Sequence, residues 1–156
     1  MPDLLQSLES QDLGYLRIVA GLWGLDLRLD DGEVAAQLAA GMLDPGLAGE
    51  IRGSLSPEAQ TALQTLIQSS GRIPWAAFAR RFGEIREMGA GRRDREQPHL
   101  HPASIAEVLF YRALLWRAFF ETEKGPQEFA YIPEDLLPLI PVRQEGQRTE
   151  LRQPQL

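Results

Sequence analysis

Arg80, Arg81, Arg86, Arg92, Arg93 and Arg95 fall within 16 residues of an otherwise acidic chain. A guanidinium is planar, permanently charged and carries five N–H donors, so it suits bidentate capture of phosphate or carboxylate oxygens. Residues 72–120 hold nine Arg against five carboxylates. Residues 1–71 hold three Arg against ten carboxylates, and residues 121–156 four basic residues against seven acids. Such an island attracts phosphate or an acidic partner even though the net charge is −6. Arg80, Arg81, Arg92, Arg93 and Arg95 are therefore the candidate phosphate ligands. Glu84, Glu87, Asp94 and Glu96 lie among them, so the competing expectation is a solvated, salt-bridged surface. Lys124 is the only lysine among 16 basic residues. That bias is read first as base composition of the coding sequence and second as selection for phosphate forks.

Other chemistry is sparse. His99 and His101 flank Leu100, near Glu96, and alternate residues of an extended segment share a face that could chelate a metal. Such a trio without a structural frame is more often a set of loop residues, and no metal or cofactor is expected. There is no cysteine, which removes disulfides, thiolate zinc sites and thiol nucleophiles. No Gly-x-Ser-x-Gly elbow occurs. The pairs Asp30/Asp31 and Glu134/Asp135 sit at expected helix starts, where they suit capping and the helix dipole better than acid–base work. No enzymatic activity is expected. Tyr111, Trp116 and Phe119 form a candidate partner surface if their segment is not wholly covered.

The elements that must position these groups follow from periodicity. A first helix is predicted over residues 11–22, with Leu13, Leu16, Ala20 and Trp23 at helical spacing and Gly24 as its stop. Leu25, Leu27 and Leu29 alternate with charged residues, which predicts a short extended piece. Asp30 and Glu33 have capping-box spacing before a second helix, running to about Leu43, that buries Val34, Leu38 and Met42. A short turn or helix is predicted over 47–52. Ser56 and Pro57 open a helix over 57–69, and Gly71 closes it. Residues 72–74 are an extended link or a minimal strand. Trp75, Phe78, Ala79 and Phe82 make a clean amphipathic stripe, with Arg80 and Arg81 off it and Gly83 as the stop. Residues 89–102 are predicted to be a loop, long enough to imply a functional or mobile role. A capping box, Ser104 and Glu107, introduces a helix predicted over 105–120, apolar on all sides and so buried. Residues 128–132 are predicted as a strand, with Pro126 where a hairpin would turn. Residues 135–139 form a helical turn, and residues 142–156 read as a disordered tail or linker.

From 57 to 133 the order helix, extended link, helix, loop, helix, hairpin is that of a winged-helix domain. From 11 to 43 the order helix, extended piece, helix resembles SAP-type and Rho N-terminal modules, which implies nucleic-acid contact. Residues 30–44, however, contain four acids and no Arg or Lys, which argues against such contact by this segment. The string Ile73-Pro74-Trp75-Ala76-Ala77-Phe78-Ala79-Arg80-Arg81-Phe82-Gly83 resembles a block of helicase-associated bacterial proteins. Phe129-Ala130-Tyr131-Ile132-Pro133 followed by Asp135-Leu136-Leu137 does so too. Residues 55–141 are thus similar to the N-terminal accessory region of XPB-type helicases. No Walker-type glycine loop ending in Gly-Lys-Ser/Thr is present, so the resemblance implies the accessory part without the motor.

These readings combine into a mostly α fold with minor β. A helix-extended-helix unit (1–53) precedes a winged-helix-like domain with a short hairpin (54–141) and a tail (142–156). The expected function is sequence-independent phosphate contact within a nucleic-acid transaction, since the predicted helix over 105–120 offers only Arg112 and Arg117 for reading bases. The alternative is a protein-interaction or oligomerisation module whose arginines meet an acidic surface. No apolar run approaches the roughly 20 residues of a bilayer span, and the first ten residues lack a signal-peptide pattern. A cytoplasmic location is expected.

Overall fold

The computed structural model describes residues 1–28 and 33–140. These residues are mostly helical, with a small antiparallel sheet. Four helices come first: α1 (Leu4–Glu9), α2 (Leu13–Trp23), α3 (Val34–Met42) and α4 (Pro45–Ser54). They are followed by α5 (Pro57–Gln68), β1 (Arg72–Pro74), α6 (Trp75–Phe82), α7 (Ala90–Glu96), α8 (Ile105–Phe110), β2 (Trp116–Thr122), β3 (Gly125–Tyr131) and a 3-10 turn, Leu137–Leu139. The sheet order is β1-β3-β2, both pairings antiparallel. Among the described residues no helix is long and apolar enough to cross a membrane.

Local chemistry accounts for most helix starts. Ser56 accepts from the Ala59 N–H ahead of Pro57, and Ser104 accepts from the Glu107 N–H, as the spacing predicts. At α2 the cap is Asp12, which accepts from the Gly14 N–H, so the helix begins at Leu13 rather than at residue 11. At α3 the N-cap is Glu33, and its side chain makes no capping bond; its expected partner Asp30 lies outside the described residues. The extended piece after α2 is held by Gln37, whose amide exchanges two hydrogen bonds with the Arg28 backbone. Leu29 and residues 142–156, the latter predicted as a tail, also lie outside the described residues.

Two expectations are corrected. Residues 105–120 are not one helix. α8 ends at Phe110 in a Schellman motif, with the Ala113 N–H on the Phe110 carbonyl and the Leu114 N–H on the Leu109 carbonyl. Ala113 takes the left-handed conformation at φ 60°, a role usually given to glycine, so no residue type announced the stop. Trp116–Thr122 then pairs along its whole length with β3; long-range pairing overrides an apolar pattern that fits either a buried helix or a buried strand. The predicted loop over 89–102 contains α7, a helix without an apolar stripe. The turn or helix expected over 47–52 is helical and forms part of the longer α4, and α1 adds a helix within 1–10 that periodicity does not suggest. In α1 a reciprocal capping box, Asp3 with Gln6, was the available signal.

One apolar cluster runs through the described residues from Leu4 to Ile140. Contacts cross the expected boundary near residue 54. The buried Tyr15 ring of α2 packs on Phe110, Tyr111 and Trp116. The Trp23 indole donates to the Arg112 carbonyl at 2.8 Å. Ser7 of α1 shares a 2.7 Å hydrogen bond with the Tyr131 hydroxyl, and the Leu4 N–H donates to Asp135.

Candidate nucleic-acid interface

The chain leaves α6 through Gly83, at φ 92°. A Cβ here would overlap the Ser104 side chain, whose hydroxyl donates to the Glu84 carbonyl at 2.7 Å. This close approach brings Arg86 onto Glu107 at the start of α8. The Arg86 Nε and Nη2 each donate to one carboxylate oxygen at 2.9 Å, and the N–H groups of Arg86 and Ala103 add bonds of 2.8 Å each. Four donors therefore converge on a carboxylate that is 0 % exposed. The expected capping box is half formed: Ser104 caps the Glu107 N–H, while the Glu107 side chain serves Ala103 and Arg86. Burial pushes the Glu107 carboxyl up, but the Arg86 guanidinium and the two backbone donors outweigh it and hold the group below its ordinary 4.5.

Arg93 is withdrawn from the surface. It is 7 % exposed. Its two terminal nitrogens meet the two oxygens of Asp12 at 2.8 Å each, and Asp94 lies 3.2 Å away. The fork rests against Gly14, where any Cβ would overlap the guanidinium. Asp12 thus caps α2 and anchors α7 at once. The hydrogen bonds from Arg93 hold the Asp12 carboxyl at about 2, against an ordinary 3.8. A depressed carboxyl stabilises the fold at pH values above its unfolded pKa and loses that contribution as pH falls through the folded one. Acid should therefore weaken this tie between about pH 4 and pH 2. Carboxyl-detected NMR of Arg93→Met should show the Asp12 midpoint moving up toward 3.8; an unmoved midpoint would contradict the assignment of Arg93 as its cause.

The other predicted ligands stay outside. Arg80 and Arg81 occupy the last turn of α6, where cations also complement the helix dipole. The Arg81 guanidinium lies over the Phe82 ring at 4.8 Å. Arg92 pairs with Glu96 one turn along α7 at 2.7 Å, and Arg95 is exposed nearby. Arg80, Arg81 and Arg95 make no ion pair among the described residues. The expected aromatic patch is divided: Tyr111 and Trp116 are each 3 % exposed, whereas Phe119, on β2, is 69 % exposed. Asp12 and Glu107 were missed as partners of the island. Asp12 lies 81 residues from Arg93 in sequence, a separation no local pattern can reveal.

A cleft of about 400 Å³ opens beside the two clamps, with Tyr15, Phe110 and Trp116 on its floor and Arg86, Arg93 and Arg117 around it. Each of these guanidinium groups is already paired, Arg117 with Glu128 at 2.9 Å. His99 packs half-buried near Tyr111 and His101 is exposed. The described residues contain no group of three or more His, Asp or Glu arranged to hold a metal ion. No protein-family model, no curated protein and no solved structure matches the chain.

Proposed function

We propose that this chain is a non-enzymatic accessory module of a nucleic-acid transaction, of the kind its resemblance to helicase accessory regions implies. It contacts phosphate without reading sequence. The observation that carries the proposal is the division of labour within the arginine island. Arg86 and Arg93 clamp the segment between α6 and α8 to the core, while Arg80, Arg81, Arg92 and Arg95 are left on the surface. The fold supports the same reading. The succession α5, β1, α6, α8, β2, β3, with β3 between its neighbours, fits a winged-helix domain with α7 inserted before the third helix. That helix, α8, carries apolar side chains and the buried Glu107, so it offers no polar edge for bases. Glu121 and Glu123 near the hairpin tip would repel phosphate. Contact is therefore assigned to α6 and α7. The same exposed guanidinium groups also fit an acidic protein surface, the second reading.

Titration of single- and double-stranded DNA at several salt concentrations separates the two. Binding should weaken with salt by a slope of about −0.9 per phosphate neutralised. Replacing Arg80, Arg81, Arg92 and Arg95 with Gln should shrink the slope by up to about 3.6. Absence of binding at low salt would overturn the nucleic-acid proposal in favour of the protein-surface reading.

A further inference from the structure

We propose that the free edge of β2 pairs with the same edge of a second copy of this chain. The orientation of that edge follows from the sheet. The Ile132 N–H donates to the Gly71 carbonyl on the β1 side. Backbone groups alternate along a strand, so Gly125, Gln127, Phe129 and Tyr131 turn toward β2. Their partners in register are Thr122, Phe120, Ala118 and Trp116. Arg117, Phe119 and Glu121 therefore direct their N–H and C=O groups outward. Pro126, which has no N–H, lies opposite Glu121, where the ladder asks for none. Among the described residues β3 is the only strand paired with β2. Phe119, at the middle of this edge, is the most exposed of the large apolar side chains among the described residues.

The edge is complementary to itself in one antiparallel register. A two-fold axis at Phe119 sets the two Phe119 rings opposite each other. It also sets Arg117 of each copy opposite Glu121 of the other. All three outward residues then meet outward residues, which gives about six backbone hydrogen bonds. Arg, Phe and Glu fall on one face of the joined sheet, where directly opposed aromatic and opposite-charge pairs stabilise. Moving the two copies in one direction brings Arg117 against Arg117, and moving them in the other brings Glu121 against Glu121. Charge thus selects the register and protects the edge against indiscriminate pairing. Arg117 is already held in place, with Nη2 2.9 Å from Glu128 and its guanidinium 4.3 Å from the Trp75 ring. Pairing with Glu121 of the second copy would draw on its remaining N–H groups. Glu121 is exposed and makes no ion pair among the described residues. The contact is isologous, so it closes as a dimer. It does not depend on the phosphate proposal.

Sedimentation equilibrium of the full chain, at the sub-millimolar concentrations where small interfaces associate, should show a monomer–dimer equilibrium. Glu121→Arg sets Arg opposite Arg and should weaken the dimer at least about tenfold. Arg117→Glu sets Glu opposite Glu and should do the same. Mixing the two variants restores attraction at both pairs, so a 1:1 heterodimer should form where neither variant self-associates. Glu121→Arg changes only an exposed side chain, so it keeps the test valid if Arg117→Glu fails to fold. A wild-type chain that stays monomeric would overturn the proposal. So would a dimer that Glu121→Arg leaves unchanged, because the contact would then lie elsewhere.

Discussion

Glu107→Gln should lower stability by about 2 kcal/mol, the cost of weakening charge-assisted hydrogen bonds to a buried carboxylate whose partner Arg86 is part-exposed. The carboxylate accepts four bonds from Arg86 and Ala103. An amide can accept with one atom only and turns two N–H groups toward a guanidinium that has nothing to accept them. For a chain of this size the loss corresponds to roughly 6 °C in the midpoint of a thermal melt followed by circular dichroism. The difference between wild type and variant should also depend on pH. Because the folded Glu107 carboxyl lies below 4.5, its contribution is complete above that value and fades as pH falls through the folded pKa. The two melts should therefore converge in acid. Equal midpoints at neutral pH would show that the Arg86–Glu107 clamp contributes no net stability.

Tyr15→Ala should be at least as damaging, at about 3–5 kcal/mol. The ring sits at the centre of an aromatic group formed with Phe110, Tyr111 and Trp116, centroids 5.0–6.1 Å away. It is the main aromatic tie between α2 and the region around the sheet. Its hydroxyl donates to the Phe110 carbonyl at 2.6 Å. Tyr15→Phe keeps the packing and loses only that bond, so it should cost about 1 kcal/mol. The Phe110 carbonyl still accepts from the Ala113 N–H, which keeps that cost low. Denaturant unfolding of both variants measures the contrast. If Tyr15→Ala unfolds near the wild-type midpoint, α1 to α3 do not share a cooperative core with the rest.

What could be read from the chain depended on how near each interaction lies in sequence. The α6 stripe of Trp75, Phe78 and Phe82 and the Ser56-Pro57 start of α5 are local, and both helices form where the pattern places them. α7 was missed because a run of Gly, Arg, Asp and Glu has no apolar period. It is tied to the core by Arg93 on Asp12, far away in sequence, with the Arg92–Glu96 pair on its exposed face. The segment after Phe110 was missed because Ala113-Leu114-Leu115-Trp116 is apolar enough for a buried helix or a buried strand alike.

The arginine island shows the same divide. Its position, its density and its contrast with the acidic flanks are properties of composition and order alone. Which arginines remain available to a partner is not. Arg93 is as charged as Arg92 and only one residue away, yet it is buried on Asp12 while Arg92 stays at the surface. Local periodicity determined most of the helices, and residue order alone the island itself. Tertiary contact decided the β2 arm of the hairpin, the two clamps and the free β2 edge, because each depends on partners that only folding brings within hydrogen-bonding distance.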